Sequence, residues 1–552
     1  MARSDNKKIT TEARGFVSGV LLLSLSTALV KVIGLAFKIP MLALLGADGM
    51  GYFNSAYEIY ALLCVIATAG LPTALSMLVS SARARGEGER IRRIFGSALS
   101  LFSVIGATGS VLMALLSKKL AEAIGNPDAR LCIIAIAPTL LIICIASAIR
   151  GYAQGFEYMS PTALSQLMEA AGKLAFGVIF AKIALARGLA LPAVAACAVS
   201  GIGVGAAISL TYLLAAMGSG KIKRQIVDCK AKCAAQSAKK EKSSLCELVS
   251  VALPITLGSA VIGLTRIIDM TEIMRGLQSI GVSAEESNRI YGAYTTLALP
   301  VFSLVPSLIA PISMALVPGL SASLARNDEE GERRVTESSL RYTALLATPA
   351  SLALALFSRP ILSIIFPSQH EAVELCAPLL SMLGGSVLFS CLITTTNALL
   401  QSYRRQSLPI VSMSLGVAVK LVSTYALVRV TDIGVMGAPI GSLLCNITVS
   451  YLNLYFLWKH SALRLNAWGT LFKPLIASTF SLGVGFALYR FLLTLTDGML
   501  LPFSVAACSS VILYITVSAL IGCITEEDIR LLPLGARITR IINIKKDKNK
   551  TA

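Results

Sequence analysis

A chain of 552 residues that is 55% hydrophobic and only 14% charged, with a mean hydropathy of +0.74, lacks the polar surface that a soluble protein of this size presents to water. The composition excludes a soluble globular protein and requires an all-α integral membrane protein with many spans. A net charge of +19 invites a nucleic-acid reading. However, the excess sits in short segments between apolar runs and in the C-terminal INIKKDKNK, where basic residues set topology and meet anionic membrane lipid. Nucleic acid is therefore not an expected partner.

The run from Gly15 to about Leu45 is longer than a signal-peptide core, and further spans follow with no soluble domain between them. It reads as an uncleaved first helix. Apolar runs of about 20 residues or more predict about 14 transmembrane helices. They lie near 15–43, 51–80, 92–117, 130–150, 161–186, 189–217, 247–272, 290–322, 337–358, 373–399, 408–430, 434–458, 468–492 and 499–523. With a cytoplasmic N-terminus, the inside segments hold Arg83, Arg85, Arg90, Arg92 and Arg93, then Lys221 to Lys242, then Arg326, Arg333, Arg334, Arg404, Arg405 and the tail. That positive-inside bias puts both termini in the cytoplasm.

Two motifs occur twice. RGYAQGFEYMSPTALSQLMEAAGK (150–173) returns as NALLQSYRRQSLPIVSMSLGVAVK (397–420), with Gln154 matching Gln401 and Lys173 matching Lys420 at one spacing of 247. SSARARGEGERIRR (80–93) returns as SASLARNDEEGERR (321–334), with Arg83 matching Arg326. Echoes in the same order at nearly the same offset indicate internal duplication. The expected organisation is an N-terminal lobe (1–217), a basic cytoplasmic linker (218–246), a C-terminal lobe (247–460), and two appended spans with a basic tail (461–552). The two six-helix lobes are expected to face a common cavity.

Pro72 falls inside the second span, and Pro300, Pro306, Pro311 and Pro318 punctuate the eighth. Each removes a backbone donor, as a kink or as part of a gate. The 12 cysteines lie mostly in apolar runs, and Cys229 with Cys233 lacks the His or second Cys pair of a zinc site. No metal and no cofactor are expected. The outer segments are short and the chain has only His370 and His460, so no catalytic residues are assigned and an enzyme acting on lipid-linked sugars is not the expected function.

Ionisable residues inside spans carry the most information, since each costs a few kcal/mol at mid-bilayer. Lys31 lies near the middle of the first span, and Lys38, seven residues on, reads as an interface anchor. Glu58 is in the second span, Glu169 and Lys173 are one turn apart in the fifth, and Lys420 is in the eleventh. Arg266 and Asp269 are three apart in the seventh. The two same-helix pairs read either as structural ion pairs or as functional groups. Lys31, Arg266, Lys173 and Lys420 are the expected substrate-binding residues, and Glu58, Glu169 and Asp269 the expected coupling or ion-pair residues. Several cations with few aromatics suit an anionic amphiphile better than an organic cation.

RGYAQGFEYMSPTALSQLMEAAGKL, TAGLPTALSMLVSSARARGE and IYGAYTTLALPVFSLVPSLIAPISMALVPGLS resemble the stage V sporulation protein B and polysaccharide-exporter branch of the multidrug/oligosaccharidyl-lipid/polysaccharide flippase superfamily, over about residues 15–525. The resemblance implies alternating access and export of undecaprenyl-diphosphate-linked saccharide across the bacterial cytoplasmic membrane. It carries the first diphosphate-binding basic position of related lipid II flippases onto Lys31. The second falls on Phe37, with Lys38 one place later. It also implies a lipid-tail groove at the appended spans, a sporulation role, and cell-wall synthases as partners. The alternative within the superfamily is a multidrug–cation antiporter.

Overall fold

The structure is a computed structural model that describes residues 2–218, 244–431, 433–461, 468–496 and 498–523. Most of the basic linker, with Cys229 and Cys233, and the C-terminal tail lie outside the described residues. Among the described residues every regular element is helical. The N-terminal half comprises α1 (Ala2–Thr68), α2 (Leu71–Ala84), α3 (Gly88–Leu115), α4 (Ser117–Ala123), α5 (Arg130–Gly155), α6 (Ser160–Ala186) and α7 (Leu191–Gly218). Then follow α8 (Ser244–Thr271), α9 (Ala284–Ala293), α10 (Leu299–Ala325), α11 (Glu329–Leu356) and α12 (Ser358–Ile365). The last five are α13 (His370–Ser402), α14 (Ser407–Arg429), α15 (Gly437–His460), α16 (Lys473–Leu493) and α17 (Leu500–Ile521).

Among the described residues eleven helices are long and apolar enough to cross a membrane, or up to 12 if α11 and α12, bent by 82° at their junction, form one span. The expected count of 14 is not reproduced by length and apolar character alone. Ser26–Ala84 enters that count as one stretch where the sequence suggests two spans. Its break is Gly46, with φ 64° and ψ −175°, a conformation that glycine adopts without penalty. Ser160–Ala186 is not among the 11, since Glu169, Lys173 and Lys182 dilute its apolar character. Pro72 marks a second interruption, between Thr68 and Leu71, whereas Leu299–Ala325 continues as one helix through its prolines.

The duplication is written in the backbone. α3 and α11 are both 28 residues long and each runs into a short helix, α4 or α12. Left-handed residues recur at matched places: Gly86 and Asn327, Glu157 and Arg404, Gly188 and Gly434. Glu157 and Arg404 stand 247 apart, the spacing of Lys173 and Lys420. A non-glycine residue at positive φ is uncommon, so its recurrence marks one inherited turn. The two repeated motifs also meet in each copy. Arg83 donates to the Phe156 carbonyl at 2.9 Å, and the Tyr403 hydroxyl donates to Glu332 at 2.9 Å.

Packing divides the chain into two compact units. The first is Met1–Val301 with Ser368–Cys376 and Lys420–Gly441; the second is Phe302–Pro367, Ala377–Val419 and Ser442–Ala552. In the first unit, small residues let helix backbones touch, the usual driving contact where lipid removes the hydrophobic incentive. A Cβ on Gly201 of α7 would sit 2.4 Å from the Gly177 nitrogen of α6, and one on Gly172 would sit 2.7 Å from Gly205 Cα. This contact fixes the rotation of α6 and so aims its charged face. In the second unit Phe357 packs edge-on against Phe486, Tyr489 and Phe503 at 5.7–5.9 Å.

Gly51 and Gly292 make one of the tight backbone approaches in the first unit. A Cβ at Gly51 would fall 2.2 Å from Asn288 Oδ1 and 2.5 Å from its carbonyl. Gly51→Ala is expected to destabilise the protein by about 1–3 kcal/mol, the range for overpacking, read as a lower thermal unfolding midpoint in detergent. Gly483→Ala meets nothing within 4 Å and is expected to be neutral or to stabilise by up to about 1 kcal/mol. A wild-type midpoint for Gly51→Ala would refute the close contact.

Candidate functional site

The first unit encloses a cavity of about 650 Å³ among α1, α5, α6 and α7. Helical spacing places its polar lining. On α6, Thr162, Gln166, Glu169 and Lys173 follow one face; on α5, Ser147, Arg150 and Gln154 do the same. Lys31, Tyr57, Tyr60 and Cys64 come from α1. Lys31, Arg150 and Lys173 are the cations of this lining and Glu169 its carboxylate.

The ion pairs are not the ones that neighbouring positions on one helix suggest. Glu169 is held by Arg150 at 2.7 Å, not by Lys173, and the same guanidinium donates to Ser165 and Ser209 at 2.9 and 2.8 Å. Lys173 instead lies over the Phe37 and Tyr57 rings, at 4.9 and 4.5 Å from their centroids. Asp269 is bound by Lys420 at 2.7 Å, with both side chains nearly sealed from solvent. Arg266 turns to Glu58 at 3.6 Å. One turn beyond Asp269, Glu272 takes Arg429 at 3.0 Å. The reason is tertiary: a group on another helix can approach head-on, whereas a neighbour on the same helix must reach sideways along its own surface.

The structure therefore brings Lys31, Lys173 and Glu169 to one cavity, and it joins Glu58 to Arg266 and Asp269 to Lys420. Arg266 is within electrostatic range of Lys31 and Lys38, and Glu58 of Lys38 and Lys173. Lys420 is 5% exposed and committed to Asp269, so it offers no ammonium to a ligand in this state. Lys38 does not snorkel to an interface. It donates to the Thr295 carbonyl within the π-helical turn Tyr294–Ala298. Pro300 has no N–H, which deprives a carbonyl four or five residues earlier of its helical donor, and the lysine supplies one. Asn54 reinforces this turn with bonds of 2.9 Å to the Thr295 and Thr296 hydroxyls.

Arg150, Gln166, Glu272 and Arg429 were not among the expected site residues. Arg150 opens the duplicated motif, and Glu272 is one helical turn from Asp269, so position alone could have flagged both. In the second unit α11, α16 and α17 enclose a separate apolar cavity of about 500 Å³, lined by Leu345, Pro349, Phe357, Leu482, Phe503 and Val511 among others.

Breaking a buried pair by removing one partner strands the other charge, at a cost of about 3–5 kcal/mol. Lys420→Met is expected to lower thermal stability by that order, and the double variant Asp269→Leu/Lys420→Met to recover most of the loss. A double variant no more stable than the single would show that the pair is not desolvated as its geometry indicates.

Residues 16–324 match the family described as polysaccharide biosynthesis protein, and residues 293–426 match MatE. Stage V sporulation protein B of Bacillus subtilis (strain 168) is 26% identical over 447 residues, spanning 79% of this chain and 82% of that protein. Lipid II flippase MurJ of the same strain is 25% identical over 425 residues, spanning 74% and 77%. The structure of a lipid II flippase MurJ in an inward closed conformation aligns with a TM-score of 0.67 at 13% identity, covering 91% of this chain and 98% of that one. An inward-facing multidrug resistance MATE family transporter of the MOP superfamily aligns with a TM-score of 0.62 at 15% identity, covering 78% and 97%. At those identities the solved structures establish the fold. With more than half of its length inside the family's match, the chain belongs to the polysaccharide biosynthesis protein family.

Proposed function

We propose that this protein is a flippase that moves undecaprenyl-diphosphate-linked saccharide across the bacterial cytoplasmic membrane by alternating access, with both termini in the cytoplasm. The observation that carries the reading is the sign of the cavity in the first unit. Among the described lining residues the one carboxylate, Glu169, is neutralised by Arg150, and Glu58 nearby is met by Arg266, so the field around Lys31 and Lys173 is positive. A positive cavity attracts phosphate and raises its local concentration. The apolar cavity beside α16 and α17 suits the polyprenyl tail. The function ascribed to the lipid II flippase relative supports the same substrate class.

A multidrug–cation antiporter is the second reading, favoured by the MatE match over 293–426. An organic cation would need aromatic faces, yet the faces of Phe37 and Tyr57 are already covered by Lys173. The reading assigns no covalent step to the protein. Cell-wall synthases that consume the exported lipid belong to it as partners. Membrane potential contributes roughly 2.3 kcal/mol per charge per 100 mV, and Glu58, Glu169 and Asp269 are the carboxylates through which an ion would couple.

The test is complementation. In a bacterial host depleted of its lipid II flippase, the wild-type protein is expected to restore lipid II to the outer leaflet. Lys31→Ala and Lys173→Ala, each removing a cavity ammonium, and Arg266→Ala, which leaves Glu58 unneutralised beside the cavity, are each expected to slow that arrival roughly tenfold or more, the scale of losing one charged hydrogen bond. Full rescue by all three variants would refute phosphate binding by these cations. Failure of inserted, folded wild type would exclude lipid II as the cargo.

A further inference from the structure

The cationic groups occupy only part of the α6 face. Toward the start of that helix the lining changes from charged to neutral, with Thr162 and Gln166 one turn apart on the same side. Thr162 is 1% exposed, and both its Oγ1 and the Oε1 of Gln166 are shielded from solvent with no hydrogen-bond partner among the described residues. Buried polar atoms in native proteins are paired with protein, water or ligand, so two neighbouring orphans on a cavity wall call for a partner. Arg150, the strong donor of the same lining on α5, is committed elsewhere, with its bonds spent on Glu169, Ser165 and Ser209.

The second copy of the repeat supplies an independent control. At the spacing of 247 that matches Lys173 to Lys420 and the left-handed Glu157 to Arg404, Thr162 corresponds to Pro409 and Gln166 to Met413. α14 folds with apolar residues at both places. The helix therefore does not require polarity there, and the hydroxyl and the amide of α6 serve something other than the fold. Gln154 on α5 lines the same cavity and adds a second amide.

We infer that Thr162 and Gln166, with Gln154 beside them, form a subsite for the uncharged hydroxyl and amide groups of the substrate's saccharide, separate from the lysines that take its diphosphate. Gln166 and Lys173 are seven residues apart, roughly 10 Å along the helix, so one ligand spans both. This rests on the lipid-diphosphate reading above and deepens it. A site built to hydrogen-bond a substrate discriminates by leaving its own polar groups unpaired when the substrate lacks them.

The experiment measures binding of two lipids to the purified full chain in nanodiscs: undecaprenyl diphosphate, and the same lipid carrying a disaccharide. Gln166→Leu and Thr162→Val are each expected to weaken binding of the disaccharide lipid about tenfold, the scale of one buried hydrogen bond, and to leave the sugar-free lipid within about twofold. Thr162→Ser keeps the hydroxyl and is expected to retain wild-type preference, which separates recognition from folding. If wild type binds both lipids and the variants weaken neither, or weaken both equally, the subsite is refuted while the lipid-diphosphate reading stands. If wild type binds neither lipid, both readings fall.

Discussion

A charge in hydrocarbon survives only when another group meets it, and in this protein that meeting is made between different helices rather than along one. Asp269 has Lys420, Glu272 has Arg429, Glu169 has Arg150 and Glu58 has Arg266. Each pair removes a carboxylate from the field. Lys31 and Lys173 face the cavity of the first unit in that field. Pairing elsewhere is thus what gives the cavity its sign, since an unmatched carboxylate among these cations would cancel it.

Backbone groups obey the same rule. Helices can cross a bilayer because they satisfy their own hydrogen bonds, and a proline breaks that self-sufficiency. At Pro300 the chain answers with a π-helical turn, a lysine from α1 and an asparagine from the same helix. Glycines at 51 and 292 let α1 and α9 approach closely just before this turn.

Duplication kept the scaffold and let the chemistry drift. Lys173 and Lys420 occupy one inherited position, yet the first lies over two aromatic rings in a cavity and the second is sealed against Asp269. Arg150 corresponds to Asn397 and Glu169 to Gly416 at the same spacing, so the second copy holds neither member of the pair that orders the first. One half of the molecule has become a polar wall. The other uses its equivalent lysine as internal glue.

The all-helical membrane class, the repeat and the intramembrane charges were legible in the sequence, because hydropathy, spacing and residue type are local properties of the chain. The span count was less so, since a kink at Gly46 and three charges on α6 blur where one crossing ends and whether another qualifies. Partner choice was not legible at all. Glu169 with Lys173 and Arg266 with Asp269 looked paired because helical spacing places them side by side, and nothing local announced that Arg150, Glu58 and Lys420 would approach more closely. The sequence by itself determined that buried charges exist and roughly where they lie along each helix. Only the tertiary structure decided which of them cancel and which face the cavity, because the rotation of each helix, set by contacts such as Gly177 against Gly201, is a property of its neighbours.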